Sequence, residues 1–372
     1  MHSDLLDQLT DRVRAFSEDV RPSRAAPPGD ATFNALALEL FAAQFAAVPA
    51  YRAFATHLGA TPDTVQHWRD LPAVPTMAFK EFAFTSLAPE RRRRVFQSSG
   101  TTTGNPGRVF HDARSLELYA ASVRAWFQPH LAPETNGAAG PRLRFFLLTP
   151  PAAQAPHSSL ACMADLVAET FGSDPPWHAS HAAPDGAWVL EAAPLVAALQ
   201  EAAAAAEPIC LLGTAFSWVH LLDYLAEAGL RLRLPPGSRV METGGYKGRS
   251  RALPRAALHA ALEDRLGVPA THVVGEYGMC ELASQAYDRV VGDSGPRAYH
   301  FPPWARAVVV SPETGHEVGE GEAGLLCVYD LANVRAVLAV QTEDLAVRRG
   351  DAFELLGRAA RAEARGCSLL AA

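Results

Sequence analysis

A loop rich in glycine and hydroxyl residues is the part of this sequence best suited to hold a phosphate. The stretch FQSSGTTTGNPGRVFHD, from Phe96 to Asp112, contains two serines, three threonines and three glycines. In such loops unhindered backbone N–H groups converge on an anion, and Ser and Thr hydroxyls add donors. The ordinary P-loop pattern fails, because Asn105 stands where its second glycine belongs and no G-K-[ST] follows. By composition alone, a flexible linker is about as consistent with the stretch as a phosphate-binding loop.

Three later stretches carry the other side chains that could do chemistry. VVGEYGMCELASQAYD contains Tyr277 and Glu281, VQTEDLAV contains Asp344, and FELLGRAARAEARGCSL contains Arg358 and Cys367. Carboxylates can hold a divalent cation or accept hydroxyl donors, an arginine can bind phosphate, and a thiolate can act as a nucleophile. Taken singly, each residue also has an ordinary structural interpretation: a core aromatic, a solvated or turn carboxylate, a surface arginine or a buried cysteine.

The surrounding elements predict an α/β fold. Four apolar runs, RLRFFLLTP, EPICLLGTAF, GSRVMETGG and THVVGEYG, alternate with helical stretches. This alternation predicts a mainly parallel sheet, in which functional residues collect at the carboxyl ends of the strands. After His300, brief apolar runs separated by turn residues predict a smaller antiparallel subdomain. We expect an α/β core with a helical N-terminal layer over residues 1–300, a β subdomain over 301–358 and a short tail over 359–372.

Charge and composition argue against several classes of function. A formal net charge of -7 argues against a nucleic-acid binder, which needs a clustered excess of Lys and Arg. The five cysteines never stand at CxxC spacing, which argues against a standard zinc cluster and favours a reducing compartment. The N-terminus lacks the apolar core of a signal peptide, and no stretch approaches the ~20 apolar residues that span a bilayer. We therefore expect a cytoplasmic protein without a membrane span.

Together, the four stretches resemble the motifs of the adenylate-forming superfamily, which includes acyl-CoA synthetases, adenylation domains and firefly-type luciferases. SSGTTTGNPGR, EYGMCE, QTEDL and GRAAR follow the order of the superfamily patterns SSGTTGxPK, YGxTE, TGD and GRxxD. VPTMAFKEF, GGYKGRSR and RGCSL resemble the narrower acyl-protein synthetase family, the fatty-acid-activating component of bacterial bioluminescence. That similarity runs from about Phe33 to Leu369. It implies the adenylate-forming N-terminal-domain fold, with stacked α/β sheets and a small β subdomain.

The resemblance implies that the chain binds ATP and Mg²⁺, and it assigns a role to individual residues. Glu281 matches the glutamate that holds Mg²⁺, Asp344 the aspartate that accepts both ribose hydroxyls, and Arg358 the arginine that contacts ribose and α-phosphate. The residues expected around the β- and γ-phosphates are Ser98, Ser99, Gly100, Thr101, Thr102, Thr103, Gly104 and, in the place of the family's lysine, Arg108. Those expected around the adenine are Gly244, Gly245, Tyr246, Tyr277 and Gly278. The loop is one residue longer than the pattern, and Glu343 replaces the usual glycine before the aspartate.

The acyl pocket is less clearly marked in the sequence. His157, Gly213 and Phe216 lie in or after apolar runs at the topological positions where the superfamily places this pocket. Each of them could equally belong to the core. We therefore treat these three residues as candidates for contact with the acid substrate.

The C-terminal end departs from the superfamily pattern. Its members continue into a mobile C-terminal domain, whereas this sequence stops at Ala372 and has no aspartate at the hinge position of GRxxD, since Ala359, Ala360 and Arg361 follow Arg358. We therefore expect most or all of that domain to be lacking. In the narrower family a cysteine near the C-terminus carries the acyl group, and Cys367 stands at its position. Arg361 and Arg365 nearby would favour its thiolate form.

The resemblance implies an ATP-dependent ligase that activates a carboxylic acid, a fatty acid in the narrower family. The acyl-adenylate would pass its acyl group to Cys367 and then to a partner, such as a reductase or a carrier protein. The expected catalytic residues are Thr102, Glu281, Arg358 and Cys367. Two alternatives stay open: a ligase for aryl or acyl acids that delivers to an external thiol or amine such as CoA, and a non-catalytic binding subunit. The intact set of Glu281, Asp344 and Arg358 weighs against the binding subunit.

Overall fold

The computed structural model of this chain describes residues 2–19, 30–98, 105–135, 142–244 and 253–358. Its helices in these ranges are α1 (His2–Asp19), α2 (Asp30–Ala47), α3 (Pro49–His57), α4 (Ala78–Glu81), α5 (Ala113–Leu131), α6 (Ser159–Phe171), α7 (Ala192–Ala204), α8 (Ala215–Glu227) and α9 (Arg255–Leu266). Its strands are β1 (Val74–Pro75), β2 (Arg94–Gln97), β3 (Arg108–His111), β4 (Arg144–Leu147), β5 (Trp177–His178), β6 (Ser180–Ala182), β7 (Trp188–Leu190), β8 (Ile209–Thr214), β9 (Arg239–Thr243), β10 (Val273–Tyr277), β11 (Ala286–Tyr287), β12 (Ala305–Val310), β13 (Ala323–Asp330), β14 (Ala339–Arg349) and β15 (Ala352–Arg358).

A six-stranded sheet runs in the order β11-β10-β9-β8-β4-β5. Its neighbouring strands are parallel, except for the antiparallel pair of β10 and β11. Every residue of β8 is buried, which is typical of a parallel strand with both faces covered. Helices α6, α8 and α9 follow β4, β8 and β9 along the chain. The mainly parallel sheet predicted from the strand and helix alternation is confirmed.

Strands β8, β9 and β10 end side by side at one edge of this sheet. Thr214 of β8 pairs with Thr243 of β9, and Thr243 pairs with Glu276 of β10. Thr214 also begins α8, because its hydroxyl accepts a hydrogen bond from the backbone N–H of Ser217. The edge therefore brings together the segments that follow β9 and β10. In parallel sheets, ligands bind at this edge.

The second large sheet places Asp344 opposite Arg358. It has five strands in the order β1-β14-β13-β12, with β15 paired to β14. The pairs among β12 to β15 are antiparallel, whereas β1 pairs with β14 in parallel. Within the hairpin of β14 and β15, Asp344 is the register partner of Arg358. The sheet thus includes one strand from the N-terminal half of the chain in addition to residues from 301–358.

Strands β2 and β3 form an antiparallel hairpin, and the glycine- and hydroxyl-rich loop is its connection. Strand β3 leads directly into α5, where Asp112 and Ser115 form a capping box. The Asp112 carboxylate also pairs with Arg91 at 2.9 Å and with Arg335 at 3.0 Å. Because Arg335 lies between β13 and β14, these contacts tie the hairpin to the second sheet.

Among the residues that the structure describes, no single helix has the length and apolar character needed to cross a membrane. Helices α2 and α3 meet that test only as a pair, and they are bent by 110° at the break between them. Both contribute rings to the core, where Phe41 packs edge-on against Tyr51 with the ring centroids 5.8 Å apart.

Candidate active site

The base of the hydroxyl-rich loop is closed by two hydrogen bonds between Ser98 and Gly107. The backbone N–H of Ser98 donates to the Gly107 carbonyl at 3.0 Å, and the Gly107 N–H donates to the Ser98 hydroxyl at 2.8 Å. Arg108 follows at once and pairs with Gln97 in the hairpin register. The structure therefore places Ser98 and Arg108 at the base of the loop, where the loop joins β2 and β3. The predicted phosphate ligands Ser99, Gly100, Thr101, Thr102, Thr103 and Gly104 lie outside the described residues.

The carboxylate of Glu281 lies beside this loop base. A Cβ at Gly107 would be 2.9 Å from Glu281 Oε1 and 3.3 Å from the Ser98 hydroxyl, so a glycine is needed for this close approach. Glu281 is 5% exposed, and its other oxygen accepts a hydrogen bond from the Cys280 thiol at 3.1 Å. Burial raises the pKa of Glu281, although the bond from Cys280 and the charges of Arg358 and Lys80 act against that rise.

The segment that carries Glu281 is held by the end of β13 and the residues after it. The Asn333 amide donates to the Glu281 carbonyl at 2.8 Å. The Asp330 carboxylate accepts hydrogen bonds from the backbone N–H groups of Ala283 and Ser284, at 2.9 and 2.8 Å, and from the Ser284 hydroxyl at 2.8 Å. The position of Glu281 therefore depends on both large sheets.

Asp344, Tyr277 and Arg358 form a second group of site residues. The Tyr277 hydroxyl donates to Asp344 Oδ2 at 2.8 Å, and Arg358 Nε lies 3.8 Å from Asp344 Oδ1. Burial raises the pKa of Asp344, against the effects of the Tyr277 bond and the Arg358 charge. The Arg358 side chain is 72% exposed, so it is accessible to a ligand. The charge of Arg358 also acts to lower the pKa of Glu281, so the two groups are linked electrostatically.

The ring of Tyr277 is buried among other aromatic rings. It makes edge contacts with Tyr299, Phe301 and Phe353, with centroids 6.1, 6.2 and 5.4 Å apart. Only 6% of the residue is exposed. Its stacking on adenine stays a prediction, as do the roles of Gly244 and Gly278 in the adenine pocket. Gly245 and Tyr246 lie outside the described residues.

The donor set at the loop base fits Mg²⁺ bound jointly by the protein and phosphate oxygens. Within the described ranges, no cluster of three or more His, Cys, Asp or Glu side chains could hold a metal ion. Mg²⁺ does not need such a cluster, because one or two carboxylates and substrate phosphates are its usual ligands. Glu281 places one buried carboxylate oxygen at the base of the loop, so the protein supplies the single carboxylate that such a site needs.

The three candidates for the acyl pocket have different surroundings. Phe216, at the start of α8, lines a cavity of about 330 Å³ together with residues of β7, including Trp188 and Leu190. Gly213 is a packing glycine, because a Cβ there would be 2.9 Å from Leu148 Cβ. His157 is exposed, and its carbonyl accepts a hydrogen bond from the β2 backbone at 2.9 Å. The cavity is lined by Phe216 but by neither Gly213 nor His157.

A family model described as acyl-protein synthetase, LuxE, matches residues 27–372. The chain belongs to the LuxE acyl-protein synthetase family. The long-chain-fatty-acid–luciferin-component ligase of Aliivibrio fischeri is 25% identical to it over 172 residues, or 43% of this chain. That match spans only 44% of the relative's length. The family resemblance read from the sequence is thereby confirmed.

Solved structures of 2-hydroxyisobutyryl-CoA ligase are similar in fold to this LuxE-family chain. An open conformation in complex with 2-HIB-AMP and CoA has a TM-score of 0.64 and 15% identity, covering 92% of this chain and 80% of that chain. The thioesterification state gives the same TM-score of 0.64 at 15% identity, with 92% and 73% covered. The predicted adenylate-forming fold is confirmed by this likeness.

Two residues of this LuxE-family chain were missed by the sequence analysis. Lys80 of α4 acts on the pKa of Glu281, and the preceding Phe79 has its Cβ 3.4 Å from the point where a Gly107 Cβ would lie. The motif VPTMAFKEF contained this lysine, but nothing in the sequence pointed to its distant partner. Glu276 is buried one residue before Tyr277, and burial raises its pKa to about 7. A charged residue in an otherwise apolar strand was the signal available for it.

The buried Glu276 should make stability depend on pH. Its folded-state pKa of about 7 exceeds the ordinary value of 4.5, so folding favours the protonated form. The stabilisation is complete below the unfolded pKa and is lost as the pH rises through the folded pKa. Relative to Glu276→Gln, the wild-type free energy of unfolding should fall by about 2 to 3 kcal/mol between about pH 5 and about pH 8. Urea denaturation of both proteins measures this difference, and a pH-independent difference would contradict the assignment.

Proposed function

We propose that this chain activates a carboxylic acid with ATP. A carboxylate oxygen of the acid attacks the α-phosphorus of ATP, pyrophosphate leaves, and an acyl-adenylate forms. The observation that carries this proposal is the position of Glu281, whose buried carboxylate faces the base of the hydroxyl-rich loop near Arg358. An acid, a phosphate loop and a site for a divalent cation are what this chemistry requires.

The described residues would divide the binding of ATP between two places. Ser98 and Arg108, at the base of the loop, would contact the β- and γ-phosphates together with the loop residues 99–104. Asp344 would accept the ribose hydroxyls, and the exposed Arg358 would reach the ribose and the α-phosphate. Because Tyr277 already donates to one Asp344 oxygen, ribose binding would make use of the other oxygen or replace this bond.

Positive charge near Glu281 would come from Mg²⁺ and from two side chains, Lys80 and Arg358. Glu281 would hold Mg²⁺, which neutralises the phosphates as pyrophosphate leaves. The charges of Lys80 and Arg358 both act to lower the pKa of Glu281, and the two residues belong to separate elements, α4 and β15. Lys80 would thus add a fixed cation on the side of the loop base.

We further propose that the acyl group passes to Cys367. The thiolate would attack the acyl carbon of the adenylate, AMP would leave, and a thioester would form. A partner protein, such as a reductase or a carrier protein, would then accept the acyl group. Cys367 lies outside the described residues, so this step is supported by family membership and by its place in RGCSL.

The acid itself would bind at the carboxyl edge of the six-stranded sheet. Phe216 is the predicted pocket residue with the best support, because it lines a cavity at the start of α8, directly after β8. Gly213 would contribute only through packing, and His157 would contribute from the loop beside β2. A cytoplasmic location stays a prediction.

Acid-dependent exchange of labelled pyrophosphate into ATP tests the proposed activation. The exchange reports reversible adenylate formation and needs neither Cys367 nor a partner protein. We expect labelled ATP only when ATP, Mg²⁺ and a suitable acid are all present. A panel of aliphatic and aromatic acids of different lengths should contain at least one acid that supports it.

A further inference from the structure

Arg255 is the first residue of α9, a position at which a cation is normally disfavoured. The N-terminus of a helix carries a partial positive charge, which favours acidic residues over basic ones. In this protein two carboxylates hold the guanidinium. Its Nε atom donates to Glu242 Oε1 of β9 at 2.7 Å, and its Nη2 atom donates to Asp288 Oδ2 at 2.7 Å. Arg255 is therefore tied to the six-stranded sheet rather than left in solvent.

A glycine in β10 makes room for the Arg255 side chain. Gly275 is the register partner of Glu242, and a Cβ on it would lie 1.7 Å from Nη2 of Arg255. The guanidinium thus lies directly on the face of the sheet. Tyr277 stands two residues further along β10, and side chains two positions apart in a strand point to the same face. Arg255 and Tyr277 therefore share one face of β10.

The ring of Tyr299 links Arg255 to Tyr277. The guanidinium carbon of Arg255 lies 5.2 Å from the centroid of this ring, within the range of a cation–π contact. The same ring stacks on Phe353 with centroids 5.4 Å apart, and its centroid is 6.1 Å from that of Tyr277. Tyr277 in turn donates to Asp344 at 2.8 Å. A continuous series of contacts thus joins α9 to the expected acceptor of the ribose hydroxyls.

Charge balance at Asp288 does not by itself account for Arg255. The buried carboxylate of Asp288 also accepts from Arg297 at 2.6 Å and from the backbone N–H of Gly275 at 2.7 Å. The other hydrogen bonds of Arg297 go to the backbone carbonyls of Ala270 and Val273. What Arg255 adds is the connection from this carboxylate to Glu242 and to the aromatic rings.

We propose that Arg255 is a positioning residue for the ribose of ATP. It fixes the Tyr299 ring, which holds Tyr277 in place and so keeps the Asp344 carboxylate oriented towards the ribose hydroxyls. This inference rests on the proposed function, in which Asp344 accepts those hydroxyls. Arg255 acts through the aromatic rings and does not itself touch the nucleotide.

A comparison of ATP with 2′,3′-dideoxy-ATP in the pyrophosphate exchange assay tests this role. The wild type should prefer ATP by at least about tenfold in kcat/KM, because the analogue leaves Asp344 without its hydroxyl donors. Arg255→Met should lower this preference by about fivefold or more and leave the KM for the acid near its wild-type value. The preference compares two nucleotides on one protein, so a smaller fraction of folded enzyme does not change it. An unchanged preference in a folded Arg255→Met protein would overturn the inference.

Arg297→Met is the matched control, because it removes the other arginine from Asp288 and leaves Arg255 and Tyr299 in place. It should unfold at a lower temperature but keep the wild-type preference for ATP. An equal loss of preference in both variants would reduce the effect to weakening of the ion-pair network and would also overturn the inference. If Arg255→Met does not fold, Tyr299→Leu tests the same link while both ion pairs of Arg255 are kept. It should lower the preference, and a wild-type value would contradict the positioning role.

Failure of this inference can be told apart from failure of the proposed function. Wild-type exchange, with an equal preference in wild type and Arg255→Met, would overturn the positioning role alone. Absence of exchange with every acid would contradict the proposed activation. In that case, isothermal titration calorimetry with the same two nucleotides gives the ratio of their Kd values, for which the same changes are expected. A wild type that does not distinguish the nucleotides would contradict the ribose role of Asp344 and, with it, that of Arg255.

Discussion

Glu281→Gln should lower the rate of acid-dependent pyrophosphate exchange by about 100- to 1000-fold, as expected when a charge-stabilising group is removed from an active site. The amide keeps the shape of the side chain but lacks the charge that would hold Mg²⁺. The carboxylate is buried against Gly107 and accepts from the Cys280 thiol, so the substitution removes a charge from a confined position. The rate should be measured over a range of Mg²⁺ concentrations, because weakened metal binding shifts this dependence to higher concentration.

Glu313→Gln provides the control for that experiment. Glu313 is exposed, so this substitution makes the same chemical change at the surface of the protein. It should retain the wild-type rate and the wild-type Mg²⁺ dependence. Circular dichroism and thermal unfolding of both variants establish whether the fold is kept. A folded Glu281→Gln protein with unchanged turnover would remove Glu281 from the site.

Cys367→Ser should abolish covalent labelling of the protein by a radioactive acid in the presence of ATP, while pyrophosphate exchange continues. Serine lacks the nucleophilic thiolate, so the adenylate would form but its acyl group would not move to residue 367. Labelling is read after denaturation and removal of free acid, and a thioester is further identified by its release with neutral hydroxylamine. This experiment separates the acylation step from the activation step.

The matched control is Cys162→Ser, because Cys162 is half-buried and its thiol lies 3.1 Å from an Arg94 nitrogen. That variant should still be labelled. Persistent labelling of Cys367→Ser would show that another residue is acylated. Loss of exchange in a folded Cys367→Ser protein would mean that the cysteine takes part in activation itself.

The sequence predicted the parallel sheet well because its signals are local. RLRFFLLTP and EPICLLGTAF are apolar runs followed by helical stretches, and both became strands of the six-stranded sheet. The strand β1 escaped prediction because it has only two residues and pairs with β14, more than 200 positions away in the chain. Short strands of this kind depend on tertiary contacts and have no periodicity of their own.

In the candidate site, too, the residues marked by local motifs were predicted, whereas those that depend on tertiary packing were not. Glu281 and Asp344 were proposed from motifs, which encode the residue type and its near neighbours. The effect of the Lys80 charge on the pKa of Glu281 depends on how separate elements pack, which no local pattern contains. Gly213 illustrates the converse: its place after an apolar run suggested a pocket, whereas its lack of a side chain accommodates Leu148 and Trp218.

Exchange of labelled pyrophosphate into ATP by the purified wild-type protein tests the proposed activation of an acid most directly. The proposal predicts exchange that requires both Mg²⁺ and an acid, that persists in Cys367→Ser and that is nearly lost in Glu281→Gln. No exchange above background with any acid of a broad panel, from a folded protein that binds ATP, would contradict it and favour a non-catalytic binding subunit.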